Sequence, residues 1–521
     1  MTTHISARTV RLATTVLAAA AALVAPAAAL GEPGAVKAPA IAGAAPLPGP
    51  VVPNYPAAAN LKVLKTTPDS GRYGVGMTIS GTGLAANKDV TLTWSTANVD
   101  WMLDPRPDTV DYLGRKTTKL AVQIATAKTD ASGAFSVPLK APLDWGGIHD
   151  IYAVVDGQQV AKGGFLIKRW ATISPKSGPI GTPITIKYYG LGSSLYEGSA
   201  AVMWDNHFVG QVTGNWTRGV ATAHIRAAGD VGSHVVYLDN AVTYGYLNVP
   251  QSPLPWTTGA KMFFKITKDN GPPKASLDFP APVAATLDAK TTLGLAGPAT
   301  SKTAAARLAS QAGTVGTKVG ITASGLVPNA PAELQWATVV GNRVNCSGTC
   351  WALSTVPLGS AKADGGGALS SDITVPDGLG GWHVVQIVQN GQIQAQTTYY
   401  VKRSYVGQSS ITVKRGHHFT IHLKGVGWTQ LDNTVAIDYD NSYVGYGCGF
   451  NSAGDVVLDL VATGKPGTHL IDGYPLLYTQ QPSYANTPYG MIPFLSYADD
   501  EPGLALGYQL PAFRFAITVV A

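Results

Sequence analysis

Four histidines stand in one recurring context: Gly147-x-His149, Gly232-x-His234, Gly381-x-His383 and Gly467-x-His469. Imidazole is the side chain best suited to proton transfer and metal ligation near neutral pH. Either task needs partner groups within hydrogen-bond reach. These histidines lie in separate stretches of chain, one apiece, so the spacing does not gather them into one site. It reads instead as a histidine that opens a late strand, with its ring bonded to a neighbouring loop carbonyl. Asp205-Asn206 and Asp440-Asn441, with Asp438 nearby, are the next candidates, since clustered oxygens suit calcium. Calcium takes about six or more oxygen ligands. Each cluster offers fewer, and Asp and Asn are favoured in hairpin turns for their own reasons. Asp499-Asp500-Glu501 reads as a solvated loop cluster. The chain has no Gly-x-Ser-x-Gly elbow, His-Glu-x-x-His pair, phosphate loop or dinucleotide fingerprint. The expectation is a protein that is not an enzyme and uses no metal or cofactor.

The elements that carry these residues are repeated. A shift of 234 takes Gly147, His149, Gly157 and Gln158 onto Gly381, His383, Gly391 and Gln392. A shift of 242 takes Gly83, Leu84, Asn87 and Trp94 onto Gly325, Leu326, Asn329 and Trp336; the difference of eight is a loop deletion. A shift of 235 takes Gly190, Gly192, Asp205, Asn206 and His234 onto Gly425, Gly427, Asp440, Asn441 and His469. The order is therefore A-B-A′-B′. Its segments are A1 (61–169), B1 (170–270), A2 (305–403) and B2 (404–521), with a linker at 271–304. Between A and B there is almost no linker, so each pair should be semi-rigid, with a flexible joint between the halves. The last strand of B1, Phe264-x-Ile266-Thr267, aligns with Phe515-x-Ile517-Thr518 of B2.

Charged residues make up only 13% of the chain, against 59 Gly and 35 Pro, which suits short strands joined by turns. Alternating runs such as Val75-Met77-Ile79 and Val90-Leu92-Trp94 fit half-buried strands. Asp156-Gly157 and its counterpart Asn390-Gly391 are both type I′ hairpin pairs. The net charge of +6 is dispersed and leaves no footprint for nucleic acid. Arg8 and Arg11 precede an apolar run at 12–24 and Ala27-Ala28-Ala29, as in a secretory signal over residues 1–29. Residues 30–60 read as an Ala/Pro-rich linker. No later stretch is long and apolar enough to be a transmembrane anchor, so the expectation is a secreted or surface-associated bacterial protein. In that setting Cys346 and Cys350 could close a small disulfide loop, while Cys448 reads as a buried small hydrophobe.

Many short strands and segments of roughly a hundred residues indicate β-sandwiches. Ile173-x-Pro175-x-Ser177-Gly178, then Gly181 and the alternating Thr182, Ile184 and Ile186 toward Gly190-Leu191-Gly192, resembles the opening of bacterial immunoglobulin-like domains of the IPT/TIG type. The resemblance implies an all-β chain of four tandem immunoglobulin-like sandwiches. It implies no activity, because such modules host many roles.

Function is sought where the repeats differ. A1 carries an insertion at 98–119 with Trp101 and Tyr112. The last loop of B2 holds Tyr474, Tyr478, Tyr484, Tyr489, Phe494 and Tyr497, and B1 has a smaller version with Tyr244, Tyr246 and Trp256. Aromatics on Pro-stiffened loops give large contact area at low ordering cost. The same rings could pack on a neighbouring segment, since long loops must bury something to stay ordered. Trp101, Tyr244, Tyr246, Trp256, Tyr478, Tyr484 and Tyr489 are thus the candidate binding residues, for a glycan or a surface protein. The reading is a structural or adhesive binding protein. The alternatives are a carbohydrate-binding protein and a secreted enzyme with a site between segments.

Overall fold

The computed structural model describes residues 36–37, 46–106, 109–194, 197–240, 247–248, 251, 260–280, 301–341, 351–407, 411–450, 452–477, 492–500 and 502–521. They are nearly all β; the helix among them is the four-residue turn Pro502–Ala505.

Alternation of apolar and polar residues builds stacked sheets. In B1, Trp170–Ser174, Pro183–Tyr189 and Val220–Arg226 form a three-stranded layer. It faces a five-stranded layer in the order Ser177–Gly178, Ala260–Ile266, Gly232–Asn240, Ser199–Trp204, His207–Thr213. The first short strand pairs in parallel with the last, and the other pairings are antiparallel. This is the connectivity of an immunoglobulin-like sandwich. A2 repeats the three-plus-five arrangement. In B2 the larger layer has six strands, and in A1 the strand Ala57–Thr67 pairs into both layers and joins them. Trp94, Trp204 and Trp336 occupy equivalent buried positions. The I′ turns are present: Asp156 and Gly157 have φ of 48° and 77°, Asn390 and Gly391 of 54° and 72°. Asp205-Asn206 and Asp440-Asn441 likewise place both residues at positive φ.

The A–B junction is built twice with the same bonds. Gly146 N–H donates to Leu191 O at 2.7 Å, and its duplicate Gly380 N–H to Val426 O at 2.9 Å. Arg169 donates to Glu197 O, and Arg403 to Asp432 O. A Cβ on Gly146 would lie 1.7 Å from Gly190 O, and one on Gly380 1.7 Å from Gly425 O, so each segment pair docks backbone to backbone.

The halves are not hinged freely, which corrects the expectation of a flexible joint. Leu470, Tyr474, Leu495, Tyr497, Ala512 and Ala516 of B2 belong to the same buried cluster as the core of B1. Between the two lies an ionic network. Arg226 reaches Asp472 at 2.5 Å and donates to Phe515 O at 2.6 Å. Arg514 donates to His224 O at 2.9 Å and to the Tyr474 hydroxyl at 2.8 Å, and Asn441 donates to Arg226 O at 2.8 Å. Asp438, beside Asp472 in the ladder, is fully buried, and desolvation raises its carboxyl well above the usual range. The linkers also carry structure. Val51–Val52 pairs with the edge of A1, and Ser276–Asp278 adds a strand beside Ala512–Val520.

Four further expectations are corrected. The insertion of A1 is the end of a long hairpin, Asp89–Arg106 with Thr109–Lys128. Asp500 is buried, not solvated, because it accepts bonds from Thr213 Oγ1 and from the backbone of Asn215 and Trp216 at 2.5–3.1 Å. In the last strand of B2, Ile517 rather than Phe515 stands opposite His469, as Phe264 does opposite His234; the sequence alignment is two residues out of register. Cys448 is exposed, because strand alternation turns Gly447 inward against Val456 and Leu458.

Candidate functional site

Each Gly-x-His histidine sits where its strand begins and folds back over the loop before it. In all four, Nε2 meets the carbonyl four residues earlier: Trp145, Asp230, Leu379 and Lys465, at 2.7–2.8 Å. The rings lie on the inward aromatic of the facing strand. His149 stacks on Trp94 at 4.4 Å, His234 on Trp204 at 5.1 Å and His383 on Trp336 at 4.9 Å; Tyr439 takes that place for His469 at 5.6 Å. The second nitrogen differs. That of His149 meets Ser95 O at 2.7 Å, while those of His234 and His469 donate to the turn carboxylates Asp205 and Asp440 at 2.5 Å. Those carboxylates also accept the N–H of Val235 and Leu470. In these three histidines both ring nitrogens are engaged with oxygen atoms of the fold.

Environment then sets charge. Burial holds the His383 imidazole at about 4, so it is neutral in the fold. Burial opposes protonation of His469 too, but its bond to Asp440 and that carboxylate's charge outweigh it and raise its pKa. The B-type pairs His234–Asp205 and His469–Asp440 line one cleft of about 510 Å³ between B1 and B2, bridged by Lys465 to Asp230 at 2.6 Å. The pairs tie a hairpin turn to its neighbouring strand, which is a structural task. Among the described residues no three His, Cys, Asp or Glu side chains are placed to hold a metal ion.

The two A–B junctions differ in their filling. In the second half Trp351, Trp428 and Phe450 close it edge to face, at 5.7 and 5.9 Å. In the first half the duplicate positions are Thr117, Ser193 and Asn215. There the junction is held by polar groups: Asp144 accepts from Trp94 Nε1 and Thr96 Oγ1 at 2.8 Å, and Arg218 donates to Ala97 O at 2.8 Å. A cleft of about 820 Å³ remains open beside it.

No protein-family model matches the chain, and no curated protein does. Solved structures similar to it include a Salmonella alpha-2-macroglobulin reacted with methylamine, at 8% identity and a TM-score of 0.17, over 86% of this chain. This chain spans 30% of that protein's length. Others are a putative membrane anchored protein from Corynebacterium diphtheriae (14% identity, 65% of this chain and 90% of that one, TM-score 0.17) and the ICAM-5 D1–D4 ectodomain fragment (11% identity, 88% and 100%, TM-score 0.17). Likenesses this loose carry no functional argument. The fold rests on the sheet topology itself.

Of the candidate binding residues, Trp101 is buried, on the packing side of the alternatives weighed for it. It meets Tyr112 edge on at 5.2 Å. With Leu103, Val110 and Tyr112 it packs among Trp382 and Tyr400 of A2 and Leu431, Phe494 and Tyr508 of B2. Tyr474, Phe494 and Tyr497 are buried as well, on the packing side of the alternatives weighed for them. Tyr244, Tyr246, Trp256, Tyr478, Tyr484 and Tyr489 lie outside the described residues, as do Cys346 and Cys350. The open junction was missed by sequence reasoning. Its signal was readable: duplicate positions where one half has aromatics and the other has Thr, Ser and Asn.

Proposed function

We propose that this is an exported, non-catalytic binding protein that acts structurally or adhesively at a bacterial cell surface or in the surrounding medium. The observation that carries the reading is the use made of the four histidines: the groups best able to do chemistry are engaged in holding strands and turns. The locked halves support it further, since a rigid block keeps several binding surfaces in fixed relation. Both B-type aromatic segments lie in sequence between the Gly-x-His strand and the last strand. Immunoglobulin variable domains carry a recognition loop at that position. The test is binding of the labelled chain to intact cells and cell-wall preparations, beside a variant lacking residues 478–491. Saturable binding that falls with the deletion supports the proposal. Turnover of chromogenic glycoside, ester or peptide substrates by the pure protein, or no binding by either form, overturns it. A second reading, carbohydrate binding, is favoured by the open cleft of mixed polarity in the first half.

A further inference from the structure

We propose that the open A1–B1 junction is a binding site for a neutral oligosaccharide. This deepens the binding reading above but does not use its aromatic segments.

Internal duplication gives the two junctions a common origin to be compared from. The second junction is filled by Trp351, Trp428 and Phe450, and a sequence able to fill one copy leaves the other open. One more duplicate position changes in the same sense: Asp150 stands where Val384 is fully buried in the cluster of Trp428 and Phe450. The first junction has therefore exchanged a dry apolar contact for an accessible surface of mixed polarity. At about 820 Å³ the cleft lies in the range of ligand sites, roughly 300–1,000 Å³.

The chemistry of its walls selects the ligand. Asp150 is held in place by Lys162 at 3.0 Å and by the Tyr152 hydroxyl at 3.3 Å, so one acceptor carboxylate is fixed at the mouth. Gln159, Lys119, Thr117 and Ser193 add amide, ammonium and hydroxyl groups. Together they offer both donors and acceptors, as ligand hydroxyls require, since each hydroxyl gives one bond and accepts others. Ile148 and the Tyr152 ring supply apolar surface for the C–H face of a sugar ring. Lys119 is the one lysine or arginine among the described lining residues, too little positive charge to draw a phosphate or sulfate.

The test is a glycan array with the whole exported chain, followed by calorimetric titration with the strongest neutral oligosaccharide. Asp150→Ala removes the fixed acceptor. Ser193→Trp installs the residue found at the duplicate position 428, so the local backbone has a precedent for it. Asp459→Ala, on an exposed strand of B2, is the control. Thermal melts check that each variant is folded. Binding should weaken about tenfold in Asp150→Ala, the loss of a hydrogen bond to a charged group. It should vanish in Ser193→Trp and stay unchanged in Asp459→Ala. No neutral glycan bound, or affinity unchanged from the native chain in both cleft variants, overturns the proposal. Cell binding that needs residues 478–491 but ignores Ser193→Trp, with no glycan bound, sinks the cleft and leaves the adhesive reading standing. Glycan binding lost in Ser193→Trp and indifferent to that deletion does the reverse.

Discussion

At the scale of single residues, one device is used four times with different electrostatic outcomes. A histidine ring bridges the start of its strand to the carbonyl four residues earlier, and its neighbours decide its charge. Histidine-detected NMR titration should show His383 neutral down to about pH 4. His469 should titrate above the ordinary histidine value. The two act on stability in opposite senses. The folded pKa of His383 is lowered, so its contribution is lost as pH falls from about 6.5 to about 4. That of His469 is raised, so its contribution is complete below about 6.5 and lost as pH rises through the folded value. His383 titrating near 6.5 would show that its pocket is open to water. Burial likewise raises the Asp500 carboxyl to about 6. Relative to Asp500→Asn, the native chain should lose up to about 3 kcal/mol as pH rises from about 4 to about 6, measured by denaturant unfolding. A difference independent of pH would contradict that assignment.

Among the elements, the A–B junction depends on backbone contact. Gly146→Ala and Gly380→Ala each force a Cβ against a carbonyl oxygen that cannot retreat without moving a segment. Each should cost about 1–3 kcal/mol, in the range of overpacking, and lower the melting temperature. Gly157→Ala tests a different cause. Nothing lies within 4 Å of its added Cβ, but φ is +77°, so any cost comes from the turn alone. It should be the mildest of the three. Equal melting temperatures for all would mean that the junctions do not hold the pairs together. The same elements show that one interface can be made by two chemistries, a buried polar set around Asp144 and Arg218 or an aromatic triad.

For the whole molecule, the end of the A1 hairpin and the B1–B2 face hold the halves together. Trp101→Ala removes an aromatic anchor from the hairpin cluster, and Asp472→Ala leaves Arg226 short of its carboxylate. Each should cost about 3–5 kcal/mol. Small-angle scattering of the double variant should show a larger radius of gyration, and calorimetry a split transition. An unchanged radius would mean that other contacts suffice to hold the halves.

Much was legible in the sequence because it depends on local chemistry. Alternation of apolar residues marked the strands of A1, paired Asp, Asn and Gly marked the I′ turns, and near-constant shifts revealed the duplication. The Gly-x-His histidines were readable as structural from their recurrence in one local context, although His234 and His469 come to line one cleft. What only the tertiary structure decided was how repeats meet. Buried Trp101 and buried Asp500 depend on residues hundreds of positions away, and no local period reports such contacts. The register of Ile517 was hidden for a related reason: matching letters record ancestry, while hydrogen bonds across the sheet set which side chains stand opposite. The open first junction lay between these cases. Its residues were visible in the repeat, but only the packed second junction shows what their small polar side chains leave unfilled.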